Sequence, residues 1–95
     1  MPLPIKETRH YEDRIRIDIN SLLSDIQAVP IGDPNIEKIE EDNGKERLVS
    51  LAGTYHAQNT TIRIEYIPGD YLDIEITGRA RALERIKNTL DRIFR

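Results

Sequence analysis

The chain has 95 residues, a net charge of −3 with 33% charged residues, and no cysteine. One domain of this size buries about two-thirds of its unfolded surface, and the missing thiols exclude disulfides, thiolate zinc sites, iron–sulfur clusters and cysteine nucleophiles. With His10 and His56 as the only histidines, a histidine-rich metal site would need carboxylates or a second subunit, and the small negative charge gives no global attraction to nucleic acid or anionic lipid.

The longest apolar runs are too short to span a bilayer. Met1-Pro2-Leu3-Pro4-Ile5-Lys6 lacks the apolar core of a signal peptide, so no membrane contact and a cytoplasmic location are expected. Fifteen Ile against two Val, and ten Arg against four Lys, give a thermophile-like composition. Residues 1–9, with two prolines and no periodicity, read as a flexible N-terminal tail, which leaves residues 10–95 as a single α+β domain.

Residues 11–29 support two readings. Arg14 to Ile19 alternates as a strand, after which Asn20 or Ser21 would cap a short helix carrying Leu22, Leu23, Ile26 and Val29. Tyr11, Ile15, Ile19, Leu22 and Ile26 also follow one helical path, with Glu12 and Arg16 as a supporting pair. Three β-branched residues at alternate positions favour strand then helix.

Pro30-Ile31-Gly32-Asp33-Pro34 is a turn-rich connection. Residues 34–42 then read either as a helix begun by Asp33-Pro34 or as one arm of a hairpin closed by Asn43-Gly44. The hairpin sets Asp42 beside Lys45, Glu40 beside Arg47 and Ile39 beside Leu48, and those two opposite-charge pairs favour it. Leu48 to Tyr55 becomes a central strand with Gly53 as an expected bulge.

From Thr60 the register is readable. Ile62, Ile64 and Tyr66 alternate with Thr61, Arg63 and Glu65; Leu72, Ile74 and Ile76 alternate with Asp73, Glu75 and Thr77. A three-residue loop, Pro68-Gly69-Asp70, pairs Tyr66 with Leu72, Ile64 with Ile74 and Ile62 with Ile76, so all the apolar residues share one face. The other face carries Arg63 opposite Glu75, Glu65 opposite Asp73 and Ile67 opposite Tyr71. Like charges directly opposite cost up to about 1 kcal/mol, so a basic group is expected near Glu65 and Asp73.

Past Thr77-Gly78 the period becomes helical. Leu83, Ile86, Leu90, Ile93 and Phe94 form one apolar stripe, and Arg79, Arg81, Arg85, Lys87, Arg92 and Arg95 occupy the other faces against only Glu84 and Asp91. Arg79 and Arg81 lie at the positive end of the helix dipole, which disfavours them by a few tenths of a kcal/mol.

The expected fold is α+β: a four- to five-stranded antiparallel sheet with a long C-terminal helix packed on one face, in the order strand, helix, four strands, helix. That order resembles the architecture of TATA-binding-protein-like and helix-grip folds. Asp70 to Ile86, with Thr77-Gly78 followed by basic Arg79, resembles the final strand and helix of such a repeat; no functional residue is carried over from it.

No catalytic residue, cofactor site or metal site is expected. His56 has no nucleophile and acid in triad order, Gly32 and Gly44 make no phosphate loop, and Glu37, Glu40, Glu41, Asp42 and Glu46 lack the ligand ladder of a calcium loop. The residues expected to carry contacts are Arg79, Arg81 and Arg85 on the helix, with Arg63, Glu65, Ile67, Tyr71, Asp73 and Glu75 on the outer face of the sheet. These point to a non-enzymatic module that binds protein, foremost a second copy of itself as a homodimer, or serves as an accessory subunit. The alternatives are a nucleic-acid binder using the Arg-rich helix, disfavoured by 5% aromatic content, and a small-ligand binder with a cavity between helix and sheet.

Overall fold

The structure, a computed structural model, describes residues 4–14, 17–31 and 36–94. Its elements are β1 (Ile5–Glu12), α1 (Ile19–Asp25), β2 (Val29–Pro30), β3 (Ile36–Asp42), β4 (Lys45–Ala57), β5 (Thr60–Ile67), β6 (Tyr71–Gly78) and α2 (Ala80–Ile93). The sheet is antiparallel throughout, in the order β1-β6-β5-β4, with β2 and β3 both bound to the far edge of β4. This is the α+β architecture expected from the residue pattern, with the long helix at the C-terminus.

The β5–β6 register is the one that unites the apolar residues. Tyr66 faces Leu72, Ile64 faces Ile74 and Ile62 faces Ile76, and all six are buried. Gly69 makes the three-residue loop feasible with a φ of 83°, a backbone conformation that side chains disfavour. Leu83, Ile86 and Leu90 of α2 cover this floor together with Ile19, Leu22 and Ile26 of α1. Ile93, expected on the same stripe, is largely exposed, and Phe94 instead stacks on Tyr11 with ring centroids 3.9 Å apart.

The hairpin reading of 34–42 holds over the described residues: β3 and β4 pair Ile39 with Leu48, Glu40 with Arg47 and Asp42 with Lys45. Asn43 and Gly44 both take positive φ, as a two-residue hairpin turn of the favoured hand requires. The bulge, however, is not at Gly53, which pairs with Ile64 in unbroken register. It lies at Val49, skipped where Lys38 faces Ser50 and Ile39 faces Leu48. β4 joins β5 only from Leu51 onward, so an extra residue at Val49 disturbs one ladder, whereas one at Gly53 would also break the β4–β5 ladder.

The N-terminal region differs most from expectation. Residues 5–9, read as tail, belong to β1 and pair with β6; residues 1–3 lie outside the described residues. The strand expected over Arg14 to Ile19 falls partly on residues 15 and 16, which lie outside the described residues; among the described ones Arg14 is in a bend, residues 17 and 18 are in no regular element and Ile19 opens α1. The single long helix from Tyr11 is excluded, because Tyr11 is in β1. The Asp13 carboxylate accepts the Ile17 N–H at 2.8 Å, which ties the end of β1 to the approach to α1. Asp18, rather than Asn20 or Ser21, caps α1, accepting from both the amide and the hydroxyl of Ser21. Val29 falls in β2 and is exposed.

β1 is held by a match of periods. Alternate strand residues Glu7, Arg9 and Tyr11 face α2, where Lys87, Asp91 and Phe94 succeed one another at four and three positions. The contacts are Lys87–Glu7 at 3.1 Å, Arg9–Asp91 at 3.5 Å and the Tyr11–Phe94 stack. Two strand residues advance about 6.8 Å and four helical residues about 6 Å, so the ladders stay in step.

Candidate functional site

The outer face of the sheet, on the side away from both helices, is an open trough of about 750 Å³. Thr8 and His10 of β1, Asp73 and Glu75 of β6, Arg63 and Glu65 of β5, and Ala52 and Thr54 of β4 line it, with Ile31 at the far rim. Of the residues expected to carry contacts, it brings together Arg63, Glu65, Asp73 and Glu75. Ile67 and Tyr71 lie opposite one another at the loop end of the same face.

The basic group expected near Glu65 and Asp73 comes from β1. His10 stands opposite Asp73 and its Nδ1 hydrogen-bonds that carboxylate, while its ring stacks on Tyr71 at 5.7 Å. Tyr71 in turn donates its hydroxyl to Glu65, which pushes the phenol up to about 12, because ionising it would set two negative groups against each other. Lys6 pairs with Glu75 at 3.5 Å. Arg63 stands opposite Glu75 but has no ion-pair partner among the described residues. Glu65, Asp73 and Glu75 thus each have a side-chain partner on this face, from Tyr71, His10 and Lys6. His10 and Lys6 were missed as part of it because their strand carries no apolar alternation.

Arg79, Arg81 and Arg85 lie elsewhere. All three are exposed, and Arg79 is the N-cap residue of α2, without a side-chain cap bond or an acidic residue in the first turn. At 100° per residue, Arg81, Arg85 and Arg92 fall on the side of α2 turned away from Leu83, Ile86 and Leu90. Arg79, Arg81 and Arg85 have no ion-pair partner among the described residues. Arg81 and Arg85 thus lie on the opposite side of the protein from the outer-face residues, across a slab whose shortest extent is 18 Å.

Ile62, Ile76, Ile86 and Leu90 are 0% exposed, leaving no surface on which a water-sized sphere could rest. No group of three or more metal-binding side chains occurs among the described residues, and none of their helices is long and apolar enough to cross a membrane.

Comparison of the chain with protein-family models, curated proteins and solved structures finds no match.

Proposed function

We propose that the chain is a small non-enzymatic interaction module, a protein that associates with itself or serves as accessory subunit of a larger assembly. The observation that carries this reading is the start of α2, where the N-cap Arg79 and the helical Arg81 and Arg85 are exposed and without ion-pair partners among the described residues, while Glu65, Asp73 and Glu75 lie on the outer face of the sheet. Guanidinium groups bind carboxylates through two parallel hydrogen bonds and lose little water in doing so, which suits an acidic protein surface. Arginines without ion-pair partners among the described residues keep that capacity for an external one. Light scattering over a range of protein and salt concentrations tests it: a mass above the monomer that grows with concentration is expected. A monomer at millimolar protein in low salt would overturn self-association.

A second reading rests on the same arginines, because guanidinium groups also grip phosphates. It predicts binding of a labelled duplex or single strand that weakens steeply with salt. Base stacking has little support: Tyr55 and Tyr66 are buried and the Tyr71 hydroxyl is engaged by Glu65. No shift of either probe at low salt would remove this reading.

A further inference from the structure

β1 closes one side of the sheet. It pairs with β6 from Ile5 to Glu12 without a break in register, and no strand pairs with its other edge among the described residues. The bond from the Asp13 N–H to the Asp70 carbonyl sets the phase of that ladder. In an antiparallel pair the bonded residues alternate, so Ile5, Glu7, Arg9 and Tyr11 turn their amides toward β6. Lys6, Thr8, His10 and Glu12 turn theirs outward, and their side chains are exposed. No proline and no bulge interrupts this edge, two of the usual means of blocking one.

We infer that the occupant of this edge is a second copy of the chain, the two β1 strands pairing antiparallel about Thr8 to join two sheets into one. This rests on the self-association reading above, and sets the seam between the copies at the β1 edge rather than at the arginines of α2. A twofold axis normal to the sheet keeps the helix-covered faces on the same side, which restricts the register to axes passing through a residue. An axis at Glu7 or Arg9 sets like charges face to face, and axes nearer either end shorten the ladder. At Thr8, Glu7 of each copy meets Arg9 of the other. Ile5, 45% exposed in the single chain, meets Tyr11 of the other copy. Lys6 meets His10, each already matched to its own carboxylate, Glu75 and Asp73. The outward amides of Lys6, Thr8 and His10 then exchange about six main-chain hydrogen bonds.

Thr8→Pro is the direct test. Its lost N–H is one that β6 does not use, so the edge strand of the single chain tolerates it, while the centre of the paired ladder does not. Sedimentation should show the wild type dimeric and T8P dissociating at concentrations at least tenfold higher. The chain has no native cysteine, so Thr8→Cys and Glu12→Cys each supply one thiol. A short bismaleimide, each of whose double bonds adds one thiol, should join two copies through Cys at position 8, and not at position 12, whose copies lie about 27 Å apart in this register. A wild-type dimer whose affinity T8P leaves unchanged and which cross-links no better at 8 than at 12 overturns the β1 edge but leaves self-association standing. A wild-type monomer overturns both. If circular dichroism shows T8P unfolded, the cross-linking pattern alone decides.

Discussion

The Tyr66 hydroxyl donates a 2.7 Å hydrogen bond to the carboxylate of Asp13, inside the protein, where Asp13 is 3% exposed. The same carboxylate accepts the Gly69 N–H at 2.7 Å and the Ile17 N–H at 2.8 Å. One side chain thus ties the end of β1, the β5–β6 loop and the approach to α1. Asp13→Ala should cost about 3 kcal/mol in urea unfolding, because it strands several buried donors together. Tyr66→Phe should cost about 1 kcal/mol, since the carboxylate keeps its two amide donors.

Tyr11 offers the opposite case. Its hydroxyl is buried without a hydrogen-bond partner among the described residues, and burial pushes the phenol above its usual value, with Arg9 pulling down and Asp91 pushing up. Tyr11→Phe keeps the stack on Phe94 and removes the unmatched oxygen. Urea unfolding should find it within about 0.5 kcal/mol of wild type or more stable, against a loss for Tyr66→Phe.

The α1 cap gives an acid-side signature. The Ser21 hydroxyl and amide hold Asp18 below the usual carboxylate range. A depressed folded-state value means the cap's contribution is complete above the unfolded pKa and is lost as pH falls through the folded one. Asp18→Ala should lower the thermal midpoint near neutral pH, and the difference from wild type should shrink in acid.

Tyr71 gives the alkaline counterpart. With its phenol near 12 in the folded chain, the contribution of the Tyr71–Glu65 bond is complete below the unfolded value near 10 and fades as pH rises toward 12. Ultraviolet titration of Glu65→Gln against wild type should show one tyrosine ionising at lower pH, because the negative neighbour that opposes Tyr71 ionisation is gone.

Gly78 ends β6 at a close approach. A Cβ there would lie 2.9 Å from Thr60 Cγ2 and 3.3 Å from the Asn59 carbonyl oxygen, and Thr60 is itself buried with its hydroxyl bound to the Ala57 carbonyl. Gly78→Ala should cost about 1–3 kcal/mol by overpacking, read from the shift in urea midpoint at unchanged slope. Thr60→Ser in the same chain should recover part of it, by removing the methyl that obstructs.

How far the chain could be read depends on where each element stores its information. β5, β6 and α2 carry it in their own periodicity: Ile62, Ile64, Tyr66, Leu72, Ile74 and Ile76 have one register that buries them all, and Leu83, Ile86 and Leu90 supply the cover. β1 carries almost none. Its inward residues are Ile5, Glu7, Arg9 and Tyr11, and the two charged ones face inward because Lys87 and Asp91 wait on a helix some 80 residues later. Arg14 to Ile19 shows a cleaner alternation, yet its described residues, 14 and 17–19, belong to no strand, and the Ile17 N–H is taken by the Asp13 carboxylate.

The contact residues divide in the same way. That Arg63, Glu65, Asp73 and Glu75 share a face follows from alternation alone. That Lys6 and His10 bond to the carboxylates of that face, and that Arg81 and Arg85 look away from it, required the placement of β1 and α2.

By itself the amino-acid order determined the α+β class, the two hairpins with their turns, the face that β5 and β6 bury and the amphipathic cover, because short-range periodicity and turn chemistry act between neighbours in the chain. Only the tertiary structure decided which strand completes the sheet at its β6 edge, where the bulge falls and which charges meet, because these depend on partners brought together from distant positions: Asp13 with Tyr66, Glu7 with Lys87, His10 with Asp73.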